Sequence, residues 1–280
     1  MLFPDFLTCP NCDSALIIGQ RNAICAHGHS FDRAREGYFN LLVGGRRATD
    51  KVAGDTPDAL IARRRFLEAG HYQPISDAVG AMIGRTTGPV LDVGCGEGYY
   101  LSRIQADISV GLDISKTAIR MAARHYGEMA FIVGSAYRLP VHAGSLAIVL
   151  SVFAQRPYSE FQRVLRDDGL VVTVSPGPHH LRELTARPPE TDSTKQVQRA
   201  ESRLAPPVSA GESLRVNYQL VLTPDACKDL VQMTPLNWRT ESRQRLDIGL
   251  DAVTVDVWIN RVRATELAGL NLARFADPAQ

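Results

Sequence analysis

The stretch VLDVGCGEGYY, residues 90–100, decides the fold. An apolar run from Val90 to Val93 ends in glycines at 94, 96 and 98, and a helical pattern follows. Missing side chains at a strand-to-helix turn let backbone N–H groups approach a ligand, as in nucleotide-binding α/β folds. Two carboxylates sharpen this weak signal. Asp92 stands two residues before Gly94, and Asp113 ends the next apolar run in VGLDIS, about 20 residues on, where a carboxylate meets ribose hydroxyls. A nicotinamide dinucleotide suits the loop less well. The G-x-G-x-x-G spacing is absent, and Asp92 and Glu97 would repel a pyrophosphate while attracting an aminoacyl ammonium group. The expected cofactor is S-adenosylmethionine, held by Asp92, Gly94, Gly96, Glu97 and Asp113. Ser135, after a later strand, either faces the adenine or forms an ordinary turn.

Downstream, short apolar runs alternate with helical patterns: Val110–Leu112, Met129–Val133, Leu146–Val152 and Leu170–Val174. Such alternation predicts a parallel, doubly wound sheet. Two further strands are expected at Leu214–Leu222 and Val253–Asn260, after an exposed, polar insertion over 186–212 with no assigned chemistry. The fold class is therefore α/β: a Rossmann-like class I S-adenosylmethionine-dependent methyltransferase domain over residues 86–280. Residues 43–85 read as a linker and helical segment. VGGRRATDKVAGDT, residues 43–56, is rich in Gly and polar residues. Thr56 is placed to cap a helix with Pro57 at its first position and Gly70 at its close, and a second helix is expected over 73–84, before turn residues Thr86 to Pro89.

Residues 1–42 carry apolar runs too short to build a core, so another source of folding energy is needed. Three of the five cysteines lie here. Cys9 and Cys12 form C-x-x-C, and Cys25 with His29 form C-x-x-x-H, the ligand set of a closed, structural Zn²⁺ site. Metal binding supplies about 10 kcal/mol or more to such peptides. His27 is an alternative fourth ligand, but three residues between Cys25 and His29 let the chain turn around the metal. A redox dithiol at Cys9 and Cys12 would sit at a helix start in a βαβ unit, which is not the pattern here. Cys95 and Cys227 read as small buried residues.

With 45% apolar and 22% charged residues the composition is that of a folded globular protein. The start, MLFPDFLTCP, lacks the features of a signal peptide, and no apolar run approaches the roughly 20 residues that span a bilayer, so no membrane association and a cytoplasmic location are expected. The net charge is only +1, yet basic residues cluster early, at Arg33, Arg35, Arg46, Arg47, Lys51 and Arg63 to Arg65. Arg33, Arg35, Arg46, Arg47 and Arg64 are the candidate RNA contacts, as a phosphate track. A solvated or salt-bridged face explains the helical arginines equally well.

Beyond these features, the chain resembles, over nearly its whole length, the bacterial large-subunit ribosomal RNA guanine-N1 methyltransferases, the family that includes the tylosin-resistance methyltransferase. The likeness is carried by CPNC (9–12), CAHGHSFD (25–32), REGYFNLL (35–42), GDT (54–56), ARRRFLEAGHYQPI (62–75), VLDVGCGEGYY (90–100), GLDISKTAI (111–119), RLP (138–140), SPGPHHL (175–181) and MTPLNW (233–238). It implies zinc at Cys9, Cys12, Cys25 and His29, and cofactor contacts from Tyr72, Gly96, Glu97 and His180. It also implies N1-methylguanine in the helix 35 loop of 23S rRNA as product, with a macrolide (tylosin) resistance link in one branch, and a homodimer whose basic cleft holds the RNA hairpin. SVFAQRPYSEF, residues 151–161, lacks the Ala-Pro-Cys of the enterobacterial branch and stands closer to the tylosin-resistance branch, whereas the Gly-rich loop leans the other way. Which neighbouring guanine is modified stays open.

Guanine N1 carries a proton near neutral pH, so its methylation needs that proton removed while the base is held in line, and positioning should dominate. Asp55, His71 and the region of Arg156 are candidates for a base or orienting group, but each has a plainer explanation, as a cap, a buried hydrogen-bonded histidine or a surface charge. No catalytic residue follows from the sequence. Trp238 and Tyr137 are candidates to stack on an extruded base, against a plain packing role. A small-molecule methyltransferase and a cofactor-binding sensor that holds RNA without turnover are the competing readings.

Overall fold

A computed structural model describes residues 3–42, 56–185, 211–234 and 250–267. The insertion, MTPLNWRT with Trp238, and Arg46, Arg47, Lys51 and Asp55 lie wholly or mostly outside them.

The loop at residues 94–98 follows β5 (Thr86–Val93), which is central in an eight-stranded sheet. Its neighbours are β6 (Ala106–Asp113) and β8 (Leu146–Val152), both parallel to it. Beyond β6 lies β7 (Ala130–Val133), and beyond β8 lie β9 (Leu165–Pro176), antiparallel β11 (Ala252–Arg263) and edge strand β10 (Glu212–Val221). The chain leaves β5 for β6 on one side and returns through β8 on the other. That reversal opens a crevice at the carboxyl ends of β5, β6 and β8, where open α/β sheets bind ligands.

The expected strands and the two helices over 56–84 form, with differences at their ends, but the helix expected after the Gly-rich loop is reduced to one 3-10 turn, Leu101–Arg103. Thr56 Oγ1 accepts the Ala59 N–H at 3.2 Å and starts α1 (Pro57–Glu68). α2 (Gln73–Ile83) follows, closed by Gly84 at φ 68°. Thr86 to Pro89, expected as turn residues, belong to β5 instead. Pro89 stands opposite Ile108 of β6, next to a register irregularity between Thr86 and Pro89, and β8 pairs with β5 only from Val90 onward. The connections are α3 (Lys116–His125), α4 (Tyr158–Val164), α5 (Arg182–Thr185), α6 (Pro224–Met233) and α7 (Ala264–Leu267). No described helix is long and apolar enough to cross a membrane.

Each face of the sheet carries its own core. Phe66, Leu67, Tyr72, Ile75, Val79 and Ile83 of the helical segment share one core with Val90, Leu150 and Val255 of the sheet. The opposite core joins Leu91, Val93, Val149, Tyr158 and Phe161 to Phe3, Phe6, Leu7, Phe39 and Leu41 of the amino-terminal region. That region folds as an antiparallel sheet of β1 (Leu16–Ile18), β2 (Asn22–Cys25) and β3 (Ser30–Asp32). Its last strand, β4 (Phe39–Asn40), leaves this sheet and pairs in parallel with β7, as the outermost strand of the large one.

Candidate active site and metal centre

The Cys9, Cys12, Cys25 and His29 ligand atoms lie within 4.8 Å of one another. Two tight turns place them. In the first, the Asp13 N–H reaches Cys9 O at 2.8 Å, with Asp13 at φ 58°. In the second, the Gly28 N–H reaches Cys25 O at 3.0 Å, with Gly28 at φ 81°, a conformation that favours glycine. The Cys12 and Cys25 Sγ atoms are 3.6 Å apart, and His29 Nδ1 is 3.6 Å from Cys9 Sγ and 3.4 Å from Cys25 Sγ. A zinc tetrahedron with arms near 2.3 Å to sulfur and 2.0 Å to nitrogen has edges of about 3.5 to 3.8 Å. The donor set therefore fits Zn²⁺ in a closed, four-ligand site. His27 is not part of it: its Nδ1 lies 3.1 Å from Ser14 Oγ.

The cofactor loop is tied to the next strand. Gly94 and Cys95 donate to Leu112 O at 2.7 and 3.1 Å. Asp113 Oδ2 accepts the Gly96 N–H at 2.9 Å and Oδ1 the Ser115 N–H at 2.8 Å. The carboxylate expected at ribose hydroxyls thus first braces the loop and the start of α3; a carboxylate keeps further acceptor sites for hydroxyl donors. Asp92 is 1% exposed, and its Oδ1 has no partner among the described residues. Burial, then the charges of Asp113 and Glu97, push its carboxyl well above the usual range. Glu97, 4% exposed, is also pushed up by burial, against the pull of Arg63. An orphaned buried oxygen among converging carboxylates fits an aminoacyl ammonium group and suits S-adenosylmethionine. Ser135 Oγ accepts the Tyr137 N–H at 3.3 Å, the geometry of a turn former. Cys95 and Cys227 are buried, as expected.

Across the crevice stands an aromatic wall. Tyr72, at the start of α2, lies 6.3 Å from the Phe153 ring and 6.2 Å from the His180 ring. Phe153 and His180 stack at 5.7 Å and 19°. His180 Nδ1 accepts the Asp256 N–H at 3.2 Å, which leaves the neutral ring's proton on Nε2. Burial, opposed by the Asp256 charge, lowers its pKa to about 4. Asp256 anchors the histidine turn by accepting the His179 N–H at 2.9 Å and pairing with Arg215 at 2.7 Å. Burial of Asp256 is outweighed by Arg215 and the His179 N–H, which hold its carboxyl at about 2.

The sequence singles out neither Phe153 nor Asp256 as a site residue. Phe153 directly follows an expected strand, at the end where ligands bind, and that position was its signal. Asp256 had a fainter one: Thr254, Asp256 and Asn260 share one face of a strand whose other face is Val253, Val255, Val257 and Ile259.

The basic candidates separate. Arg33 is held by packing: its guanidinium lies 5.1 Å from each of the Phe3 and Phe39 rings and donates to Gly19 O at 3.2 Å. Arg35 is exposed. Arg64 pairs with Glu68 at 2.8 Å and touches His125, and Arg65 pairs with Asp229 of α6. Arg63 turns toward the cofactor loop, where a β-carbon on Gly96 would stand 3.6 Å from its Nη1. His71 packs against Phe66 at 4.5 Å, and burial lowers its pKa, as for a packed histidine. The Tyr137 hydroxyl donates to Gln155 at 3.0 Å.

Known proteins match both regions of the chain. The family model for the RlmA N-terminal zinc ribbon matches residues 7–44, and a methyltransferase-domain model matches residues 90–169. The chain is 36% identical to the Streptomyces fradiae 23S rRNA (guanine(748)-N(1))-methyltransferase, over 84% of this chain and 87% of that one. A Micromonospora griseorubida protein, provisionally named a 23S rRNA (guanine-N(1)-)-methyltransferase, is 34% identical over 98% of this chain and 99% of its own. A Bacillus subtilis protein with the same provisional name is 30% identical over 90% and 93%. At such identity over most of both chains, the protein belongs to the 23S rRNA (guanine-N1)-methyltransferase family of S-adenosylmethionine-dependent enzymes.

Proposed function

We propose that the protein methylates N1 of one guanine in the helix 35 loop of 23S rRNA, acting as a homodimer with S-adenosylmethionine as donor and a structural Zn²⁺ in its amino-terminal module. The observation that carries the reading is the aromatic wall of Tyr72, Phe153 and His180 at the carboxyl end of β8, beside the Gly94 loop. In this reading Asp92, Gly94, Gly96, Glu97, Asp113 and Tyr72 line the cofactor side, Ser135 shapes the adenine end, Phe153 faces the base, and His180, stacked on Phe153, stands between cofactor and base.

When bound, S-adenosylmethionine supplies an electrophilic methyl group on its sulfonium. The chain must supply order. The exposed ring of Phe153 offers a stacking surface to an extruded base, worth about 1–3 kcal/mol for an aromatic–base stack. His180, neutral at physiological pH, presents its Nε2–H as a donor. Directed at guanine O6, that donor stabilises the charge that gathers there as the N1 proton leaves for solvent. With all four positions filled by protein, the zinc has a structural role. Arg35, Arg46 and Arg47 are the remaining candidates for phosphate contacts.

The test is methyl transfer from labelled S-adenosylmethionine to unmodified 23S rRNA, mapped by the block that N1 methylation imposes on reverse transcription. One stop in the helix 35 loop is expected, and position 748, for which the Streptomyces fradiae relative is named, is the first to inspect. Labelling elsewhere, or none with cofactor binding intact, would overturn the reading. Growth of an expressing strain on tylosin tests the resistance link.

A further inference from the structure

Three consecutive arginines on α1 have three different environments, and one is unexplained by packing. Arg65 anchors α1 to α6 through Asp229, and Arg64 joins the surface pair with Glu68. Arg63 has no hydrogen-bonded or ion-paired partner among the described residues, although it lies on the packed side of the helix. Ala59, Leu60, Phe66 and Leu67, its neighbours at three and four residues' distance, are all buried. A half-buried guanidinium in an apolar stripe loses hydration, and its position asks for an anion. It faces the cofactor loop: a β-carbon on Gly96 would stand 3.6 Å from Arg63 Nη1.

We propose that Arg63 binds the carboxylate of the cofactor's amino-acid end, while the Asp92 and Glu97 carboxylates take its ammonium group. The loop then offers opposite charges to the two halves of a zwitterion. Gly96 is the position where a side chain would intrude between guanidinium and ligand, and its φ of +56° already favours glycine. Arginine suits the task because its planar fork meets both carboxylate oxygens. This inference rests on S-adenosylmethionine as the cofactor.

The rival role for Arg63 is counter-ion to Glu97, and a pair of ligands separates the two. S-adenosylmethionine and its decarboxylated form share adenosine, sulfonium and ammonium, and differ by the carboxylate alone. Their affinities for the full-length chain without RNA, measured by calorimetry, are compared for the unaltered protein, Arg63→Met, Arg63→Lys and, as a surface control, Arg64→Gln. The unaltered protein should prefer the carboxylate-bearing ligand by about 10- to 100-fold, the range of a charge-assisted hydrogen-bonded pair. Arg63→Met should reduce the preference to roughly threefold or less with decarboxylated ligand binding unchanged, Arg63→Lys should keep most of it, and Arg64→Gln all of it. Equal weakening of both ligands by Arg63→Met, or an unchanged preference, overturns the proposal. If the unaltered chain bound neither ligand, the cofactor assignment itself would fall. Melting curves of each variant show that it is folded.

Discussion

Gly94 sits where two loops touch. Its φ is +79°, and a β-carbon there would lie 2.4 Å from the Ala154 β-carbon, in the segment that carries Phe153. Gly94→Ala should therefore cost the left-handed penalty of about 1–2 kcal/mol and also push the β5 and β8 loops apart. S-adenosylhomocysteine affinity, measured by equilibrium dialysis, should drop at least tenfold. Adding Ala154→Gly should recover part of that, because it removes the clash and leaves the backbone strain; no recovery would mean that the contact is unimportant. His180 makes a second residue-level prediction. Its folded pKa of about 4 lies below the ordinary 6.5, so between these values the unfolded chain binds more protons. Its contribution is full above 6.5 and lost as pH falls toward 4. His180→Gln should show a shallower fall of Tm over that window than the unaltered protein, and parallel curves would refute the buried, neutral ring.

At the scale of elements, the metal knuckles hold more than themselves. β1 to β3 form a sheet of short strands, and hydrophobic burial alone cannot stabilise so small a unit. The same segment continues into β4, whose Phe39 and Asn40 pair with Ile132 and Val133 of β7, and into Leu41, whose N–H reaches Val133 O at 2.9 Å. Chelation of the metal, or Cys25→Ser, should therefore free the amides of residues 39–41 for hydrogen exchange as well as those of the knuckles. Exchange confined to residues 9–32 would mean that β4 docks without the metal. On the far side of the site, the 177–180 turn is fixed by another element. Gly177 donates to Asp256 O at 2.7 Å and His179 to its side chain, so the position of His180 is set by β11, more than 70 residues away in sequence.

For the whole molecule, the shared core on one face of the sheet means that the amino-terminal region is not a detachable reader of RNA. Phe3, Phe6, Leu7, Phe39 and Leu41 are buried in the same cluster as Leu91, Val93 and Val149. Loss of residues 1–42 would bare this apolar surface at about 25 cal/mol per Å². A truncated chain starting at residue 43 should fail to give a soluble, cooperatively melting protein, whereas a monodisperse folded product from size-exclusion chromatography would show that the methyltransferase domain stands alone.

What the sequence by itself determined is local in origin. The caps Thr56 and Pro57, the glycines after β5 and the alternation of apolar runs are short-range patterns, and the spacing of Cys9, Cys12, Cys25 and His29 allows a single tetrahedral site; these were legible because their physics acts within a few residues. The four metal ligands do meet, and the loop does sit at the switch point of a parallel sheet. Tertiary structure decided whatever depends on distant partners. Arg33, Arg63, Arg64 and Arg65 carry the same charge in the sequence, yet one lies between two aromatic rings, two are ion-paired and one faces the cofactor loop. Asp92 became a buried carboxylate with one oxygen that no described residue partners, Phe153 a wall of the crevice and Asp256 the anchor of His180 only when strands far apart in sequence were brought side by side. Burial and charge pairing, which set these roles, are properties of the assembled surroundings and not of the residue.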